Sequence, residues 1–257
     1  MRQVQFKFRM QRVLSVMFVF SIMVGFLSVV KAETSVALWQ GDKKGAVSIT
    51  FDEIDDTDDV LGSQYDNAFP LLQQHGLKAT FFIFSNNPNE NEIVTLVADG
   101  QEIASSGIAD SSLTDFDPEW QDHFLDWSQS DLQAITGQEI TTFAYPRGDY
   151  NADIIANTAV YYLAARTADT ASPVALNVSS PNIFELEVIA PNDNGQGDSN
   201  VIGYLQDSVD LAVAEQKWAI QQFHAIGVAG GYDNVSAEAF GAHLDYLVAN
   251  ESDLWVG

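Results

Sequence analysis

Short apolar runs alternate with longer amphipathic segments along most of this chain. Residues 46–51 and 77–84 are dense apolar runs with the length of buried strands. Between them lies a segment from Gln64 to His75 with helical periodicity, which stops at Gly76, a residue that often follows a helix. The pattern predicts a β-α-β unit near the start of the domain.

The same alternation continues to residue 256. It predicts further strands at residues 102–105, 140–145, 160–165, 186–190, 218–224 and 254–256. It predicts further helices at residues 90–98, 130–136, 150–157, 201–215 and 237–248, and surface loops at 55–64, 110–122 and 192–200. Strands that alternate with helices predict an α/β fold with a parallel sheet, and periodicity leaves open whether the sheet closes into a barrel.

The first 32 residues follow a different pattern. Basic residues between Arg2 and Arg12 precede an apolar run from Val13 to Val30, and Val30-Lys31-Ala32 offers small residues where a signal peptidase cuts. We therefore predict a signal peptide over residues 1–32, one domain over residues 33–257, and export to the periplasm or the medium without stable membrane insertion after cleavage. An uncleaved membrane anchor is the alternative, because the apolar run is long for a signal.

The chain is strongly acidic and lacks cysteine. Its formal net charge is −25, which disfavours nucleic acid and anionic lipid as partners. The charge fits two interpretations: attraction of a cationic ligand, such as an amino-sugar polymer that has lost acetyl groups, or solubility in salty surroundings. With no cysteine, disulfides, thiolate catalysis and thiolate metal sites are excluded.

Three apolar runs end in residues that can carry chemistry. Residues 47–51 lead into Asp52 and Glu53, residues 143–145 lead into the turn Pro146-Arg147-Gly148, and residues 218–223 lead into His224. In α/β enzymes, the active site is formed by residues at the C-terminal ends of the strands. Two of these features also have a structural explanation: the acids could begin a solvated loop, and the histidine could be a satisfied core residue.

Together the three segments resemble the polysaccharide deacetylases of the NodB-homology type, carbohydrate esterase family 4. The resemblance spans nearly all of residues 33–257 and implies a distorted (β/α) barrel that removes N- or O-acetyl groups from an extracellular or envelope polysaccharide or oligosaccharide. It implies that Asp52 is the general base and His224 the general acid. It also implies that the backbone N–H of Arg147 binds the oxyanion, with Tyr145 and Pro146 beside the substrate.

Several positions depart from the family pattern. Many relatives carry an aromatic residue at Arg147, whose side chain either clamps a carboxylate of the site or lies on the surface. Arg166 or Asp169 could orient site groups, although their spacing assigns no role. The remaining histidines are predicted to be structural: His75 ends a helix, and His123 and His243 lie in polar or amphipathic surroundings.

The largest departure concerns the metal. The family's zinc-binding histidines are replaced by Ser106 and Asp110, and the family's metal-binding aspartate by Glu53. A set of oxygen ligands suits calcium, magnesium or manganese better than zinc, so the resemblance leaves two cofactor alternatives, a hard divalent cation or none.

The alternative to a deacetylase is a catalytically inactive carbohydrate-binding protein on the same scaffold. A serine hydrolase is disfavoured, because no Gly-x-Ser-x-Gly motif surrounds Ser105 and Ser106.

Overall fold

The computed structural model describes residues 39–52, 60–86, 88–170, 182–191 and 197–257, without the side chains of residues 60, 61, 169 and 170. The predicted signal peptide and Glu53 lie outside the described residues. Among the described residues, no helix is long and apolar enough to cross a membrane.

Strands and helices alternate as the sequence pattern predicted. The strands are β1 (Gly45–Asp52), β2 (Thr80–Ile83), β3 (Glu102–Ser105), β4 (Thr142–Ala144), β5 (Ala164–Thr170), β6 (Leu186–Val188), β7 (Trp218–Phe223) and β8 (Leu254–Val256). The helices are α1 (Val60–Ser63), continued by a π-helical segment (Gln64–Ala68) into α2 (Phe69–His75), then α3 (Glu90–Asp99), α4 (Pro118–Thr136), α5 (Ala152–Tyr161), α6 (Asp198–Glu215) and α7 (Ala237–Ala249).

The strands form one parallel sheet in the order β6-β5-β4-β3-β2-β1-β7. On one side of β1, β8 pairs with the first half of the strand and β2 pairs with the second half. A bridge joins Ile189, just after β6, to Gln221 of β7, so the two ends of the strand order meet. The sheet therefore curls into a distorted (β/α) barrel with helices on its outside, as predicted.

The alternating pattern of β1 explains how the barrel places its polar groups. Val47, Ile49 and Phe51 have no exposed surface and belong to the main core between sheet and helices. Successive side chains of a strand point to opposite faces, so Ser48, Thr50 and Asp52 share the other face, towards the barrel interior. The last of them, Asp52, lies where the strand ends.

Helix α4 is much longer than the predicted helix at residues 130–136, and it replaces part of the loop predicted at 110–122. Asp117 caps it by accepting a hydrogen bond from the backbone N–H of Trp120 at 2.9 Å, and Pro118 occupies the first turn. Its buried face includes Gln121 and Ser128 beside leucine and phenylalanine. Because these polar residues lie on the core side, the first part of α4 lacks the regular apolar spacing that predicts a helix.

The strand predicted at residues 160–165 was wrong in its first half, because α5 continues to Tyr161 and β5 begins at Ala164. The tyrosines, valine and leucine of this segment favour a strand by propensity. Packing decides otherwise: the buried hydroxyl of Tyr162 lies 3.0 Å from Ser128 Oγ on α4, while Val160 and Leu163 are exposed to solvent.

Gly45 lets helix α6 approach the start of β1, and we expect Gly45→Ala to destabilise the fold. An added Cβ would lie 2.6 Å from the backbone carbonyl carbon of Ala212. Backbone cannot move aside as a flexible side chain can, so the free energy of unfolding should fall by roughly 1–3 kcal/mol in urea titrations. Gly203→Ala on α6 is the matched control, since its Cβ would meet nothing within 4 Å. Equal stability of the two variants would contradict this close approach.

Candidate active site

A cleft of about 290 Å³ opens at the C-terminal ends of the strands. Asp52 is the last residue of β1 and His224 directly follows β7, its neighbour in the sheet. Parallel strands end at the same edge, which is why these two residues meet although 171 positions separate them in the sequence. The cleft is lined by Asp52, Phe84, Ser106, Asp110, Tyr145, Pro146, Arg147, Gly148, Ala168, Gln222, His224 and Tyr232.

Three polar side chains surround the carboxylate of Asp52. Arg166 of β5 forms an ion pair with Oδ1, and Gln222 donates from Nε2 to Oδ2 at 2.5 Å. Oδ2 also lies 3.9 Å from Nε2 of His224. The Asp52 side chain is only 16% exposed, so the guanidinium and the amide replace most of the water that an ionised carboxylate needs.

Arg166 is a charge in the barrel interior. Its side chain is 4% exposed, and its guanidinium carbon lies 4.2 Å from the ring centroid of Phe82. Burial lowers the pKa of Arg166 to about 9, which still leaves the group protonated at neutral pH. The sequence assigned Arg166 no role; the structure makes it the partner of Asp52.

His224 is held between two acidic residues and an aromatic ring. Its Nδ1 lies 3.8 Å from Oδ2 of Asp233, and the ring of Tyr232 packs edge-on against it at a centroid distance of 5.0 Å. Burial, and secondarily the positive charge of Arg166, lower the pKa of His224 to about 4. The imidazole is therefore neutral at pH 7.

The predicted convergence of Asp52 and His224 is thus present in the fold, while their catalytic roles stay predictions.

The turn after β4 contains a backbone N–H that is left without an acceptor, in a residue that lines the cleft. Arg147 has φ +60°, in the left-handed region, and Gly148 follows with φ +72°. The N–H groups of Gly148 and Asp149 donate to the carbonyls of Tyr145 and Pro146. Among the described residues, the N–H of Arg147 has no hydrogen-bond acceptor. A donor left free in a turn at a cleft is what oxyanion binding requires.

The Arg147 side chain clamps a carboxylate and is also 54% exposed, so it meets both alternatives that the sequence left open. Its Nε donates to Oδ1 of Asp110 at 3.0 Å, and its Nη2 donates to Oδ2 at 3.1 Å and to the Asp110 carbonyl at 2.8 Å. Asp110 thus receives a bidentate guanidinium, an arrangement that satisfies both carboxylate oxygens.

The described residues do not fit a metal ion. No group of three or more histidine, aspartate or glutamate side chains within the described ranges is placed to hold one. Asp110 is paired with Arg147, and Ser106 is a buried hydroxyl. A guanidinium beside the position of the second family histidine would also repel a cation. Glu53, the third candidate ligand, lies outside the described residues.

The predicted substrate contacts lie in the cleft wall. Tyr145 is 3% exposed and stacks on Tyr150 at a centroid distance of 5.0 Å, and burial raises its pKa to about 12. Pro146 is also buried beside it. Both residues line the cleft, whereas their contact with a substrate stays a prediction.

Sequence reasoning missed Gln222, Tyr232 and Asp233. Gln222 had a usable signal, because it lies two residues before His224 and a strand places alternate residues on one face. Tyr232 and Asp233 had none. They reach His224 because the loop folds back on itself, where the N–H of Gly227 donates to the carbonyl of Val235 at 2.8 Å.

His243 has a structural place in the fold, as predicted, but its surroundings differ from the expectation. Instead of polar or amphipathic surroundings, it has no exposed surface, and its Nε2 lies 2.7 Å from Oε1 of Gln221. Burial lowers its pKa to about 3. His243 is a neutral core residue that joins α7 to β7.

Comparisons with known proteins agree with this architecture. The family model for polysaccharide deacetylase matches residues 40–164. A gellan lyase from a Bacillus species is 28% identical over 242 residues, which cover 88% of this chain and 9% of the lyase. The Bacillus subtilis protein YxkH, named provisionally as a polysaccharide deacetylase, is 28% identical over 140 residues, or 51% of this chain and 48% of YxkH. The chain therefore spans less than half the length of either relative.

Solved structures share the fold at low sequence identity. The allantoinase Puue superposes with a TM-score of 0.64 at 14% identity, covering 87% of this chain and 90% of the allantoinase. The family 4 carbohydrate esterase from Streptomyces lividans, solved in complex with acetate, superposes with a TM-score of 0.58 at 17% identity, covering 84% and 93%. From the family match, the barrel and the strand-end residues that carry the motifs, we conclude that this chain contains a polysaccharide deacetylase domain, which the family model matches over residues 40–164.

Proposed function

We propose that this protein is an exported hydrolase that removes N- or O-acetyl groups from an extracellular or envelope glycan. The observation that carries the proposal is the meeting of Asp52, His224 and the free N–H of Arg147 around one cleft. A general base, a proton carrier and an oxyanion donor are the groups that acyl transfer to water needs. The basic and apolar N-terminal sequence supports export.

Asp52 is the group placed to activate water. The adjacent guanidinium of Arg166 favours its ionised form. In the proposed reaction, Asp52 takes a proton from water as the water oxygen bonds to the acetyl carbonyl carbon. The carbonyl oxygen becomes an oxyanion, which accepts a hydrogen bond from the N–H of Arg147.

His224 carries that proton to the leaving group. Because its pKa is about 4, it holds no spare proton at pH 7. The proton that it delivers must be the one released by the attacking water, passed across the 3.9 Å between Asp52 Oδ2 and His224 Nε2. Its transfer to the leaving nitrogen or oxygen accompanies cleavage of the bond to the carbonyl carbon, and acetate is released.

The second candidate is a catalytically inactive glycan-binding protein. Two observations favour it: the described residues form no metal-binding group, and Arg147 neutralises Asp110 where the family resemblance implies a ligand. Without a Lewis acid the oxyanion depends on a single backbone donor, so turnover should be slow even if the remaining groups are competent.

Acetate release separates the two candidates. We expect slow release from a panel of N-acetylated and O-acetylated oligosaccharides, and we expect Asp52→Asn to lower kcat/KM by about a hundredfold or more, because the amide cannot accept the proton. Asp131→Asn, the same change at an exposed position of α4 outside the cleft, should leave the rate unchanged. Binding of the panel without acetate release above the Asp52→Asn level would establish the binder instead.

A further inference from the structure

Helix α4 carries an exposed row of aromatic rings that the cleft does not use. Trp120 is 53% exposed and Trp127 is 45% exposed, and His123 lies between them on the same side of the helix. Positions separated by three, four and seven residues share one face of a helix. We call these three residues the Trp120–Trp127 stripe. Exposed tryptophans in a row are uncommon on a surface and call for a binding partner.

The stripe is held in place before any partner arrives. His123 stacks on Trp127 with ring centroids 4.8 Å apart, and Trp120 packs edge-on against both other rings at 6.1 Å. These contacts restrict the rotation of two large side chains. Little further conformational entropy is then lost when a ligand stacks on them.

The charge around the stripe limits the kind of partner. Helix α4 carries Glu119, Asp122, Asp126 and Asp131 and contains no lysine or arginine. The first three are exposed, and Glu119 and Asp126 lie nearest to the stripe by helical spacing, whereas Asp122 accepts a hydrogen bond from the Tyr161 hydroxyl on α5 at 2.5 Å. Such a face repels acidic polymers and favours ligands with amines, and an ammonium group also binds favourably over the face of a tryptophan.

The stripe begins on the same side of the barrel as the candidate active site. The connection from β3 through α4 to β4 joins parallel strands, so the helix runs back from the C-terminal edge of the sheet. Trp120 in the first turn therefore lies on the side of the barrel where the strands end, the same side as Asp52 and His224. Trp127 lies about 10 Å further down the helix. A chain held along the stripe would be directed towards the cleft.

We propose that the Trp120–Trp127 stripe binds an amino-sugar chain that carries free amines. The apolar face of a sugar ring stacks on tryptophan, and its amines and hydroxyls meet the flanking carboxylates. The choice of an amine-bearing glycan rests on the proposed function, since removal of N-acetyl groups leaves free amines on a glycan. A protein partner is disfavoured because a single row of rings bounded by acids is small against the roughly 1,000 Å² that a specific protein interface buries.

Calorimetric titration with a β-linked glucosamine hexasaccharide tests the proposal. We expect Trp120→Ala/Trp127→Ala to raise Kd roughly tenfold or more, and Trp120→Phe/Trp127→Phe to recover part of the loss because the rings remain. Added salt should weaken binding to the natural protein. Val94→Ala, at a residue of α3 that is 51% exposed, is the control and should bind as the natural protein does.

Separate outcomes distinguish this inference from the proposed function. Asp52→Asn should lower the rate of acetate release by about a hundredfold or more and leave hexasaccharide binding intact. Unchanged Kd in the alanine double variant would overturn the stripe as a glycan site, and so would equal binding of an oligogalacturonate, which is acidic. If Trp120→Ala/Trp127→Ala leaves Kd unchanged but lowers the mass of the particle in solution, the glycan proposal also fails. The stripe would then be a contact between copies of the chain.

Discussion

Replacing Arg166 with methionine is expected to lower the free energy of unfolding by about 3–5 kcal/mol at pH 7, the usual cost of leaving a buried charge without its partner. Methionine keeps length and apolar contact with Phe82 but leaves the carboxylate of Asp52, 16% exposed, without its cation. Urea titrations of the variant and the natural protein at pH 7 measure the loss.

A second substitution separates the ion pair from simple packing. Arg166→Met/Asp52→Asn removes both charges, so it should recover much of the stability that the single variant loses. A single variant as stable as the natural protein would contradict the buried ion pair. A double variant no better than the single one would mean that Arg166 matters for packing alone.

Restoring imidazoles at the family's ligand positions is expected to create a zinc site. We expect Ser106→His/Asp110→His to hold close to one zinc per molecule after dialysis, whereas the natural protein should hold little, because the described oxygen groups form no metal-binding cluster. Binding should also stabilise the fold, by about 2.7 kcal/mol at a zinc concentration one hundred times Kd. Elemental analysis and thermal unfolding with and without zinc measure the gain.

The matched control is Ser106→Asn/Asp110→Asn. It also releases Arg147 from its ion pair but supplies no imidazole. Stoichiometric zinc in the natural protein, or no more zinc in the histidine variant than in the asparagine variant, would contradict the prediction. Zinc together with faster acetate release would mean that only the metal was lost in this chain. Zinc without acetate release would show that the loops or Arg147 have also diverged, and the enzyme proposal would fail.

The local pattern of the chain determined most of the architecture and two of its site residues. Strand runs such as 46–51 and 218–224 were found because apolar residues concentrate where a strand is buried on both faces. Asp52 and His224 stood out because each interrupts such a run at its end. Since parallel strands end at one edge, their proximity follows from topology. The start of α4 was missed because Gln121 and Ser128 lie on its core face.

Only the tertiary structure decided which charges meet. Arg166 and Asp110 are ordinary polar residues in the sequence, yet curling the sheet brings Arg166 from β5 to Asp52 on β1, and the turn after β4 brings Arg147 to Asp110. His243 looks amphipathic in its helix and is fully buried against Gln221. Ion pairing and burial depend on distances between segments that are far apart in the chain. The closure of the barrel sets these distances. Hydrophobic periodicity predicts strands and helices but not this closure.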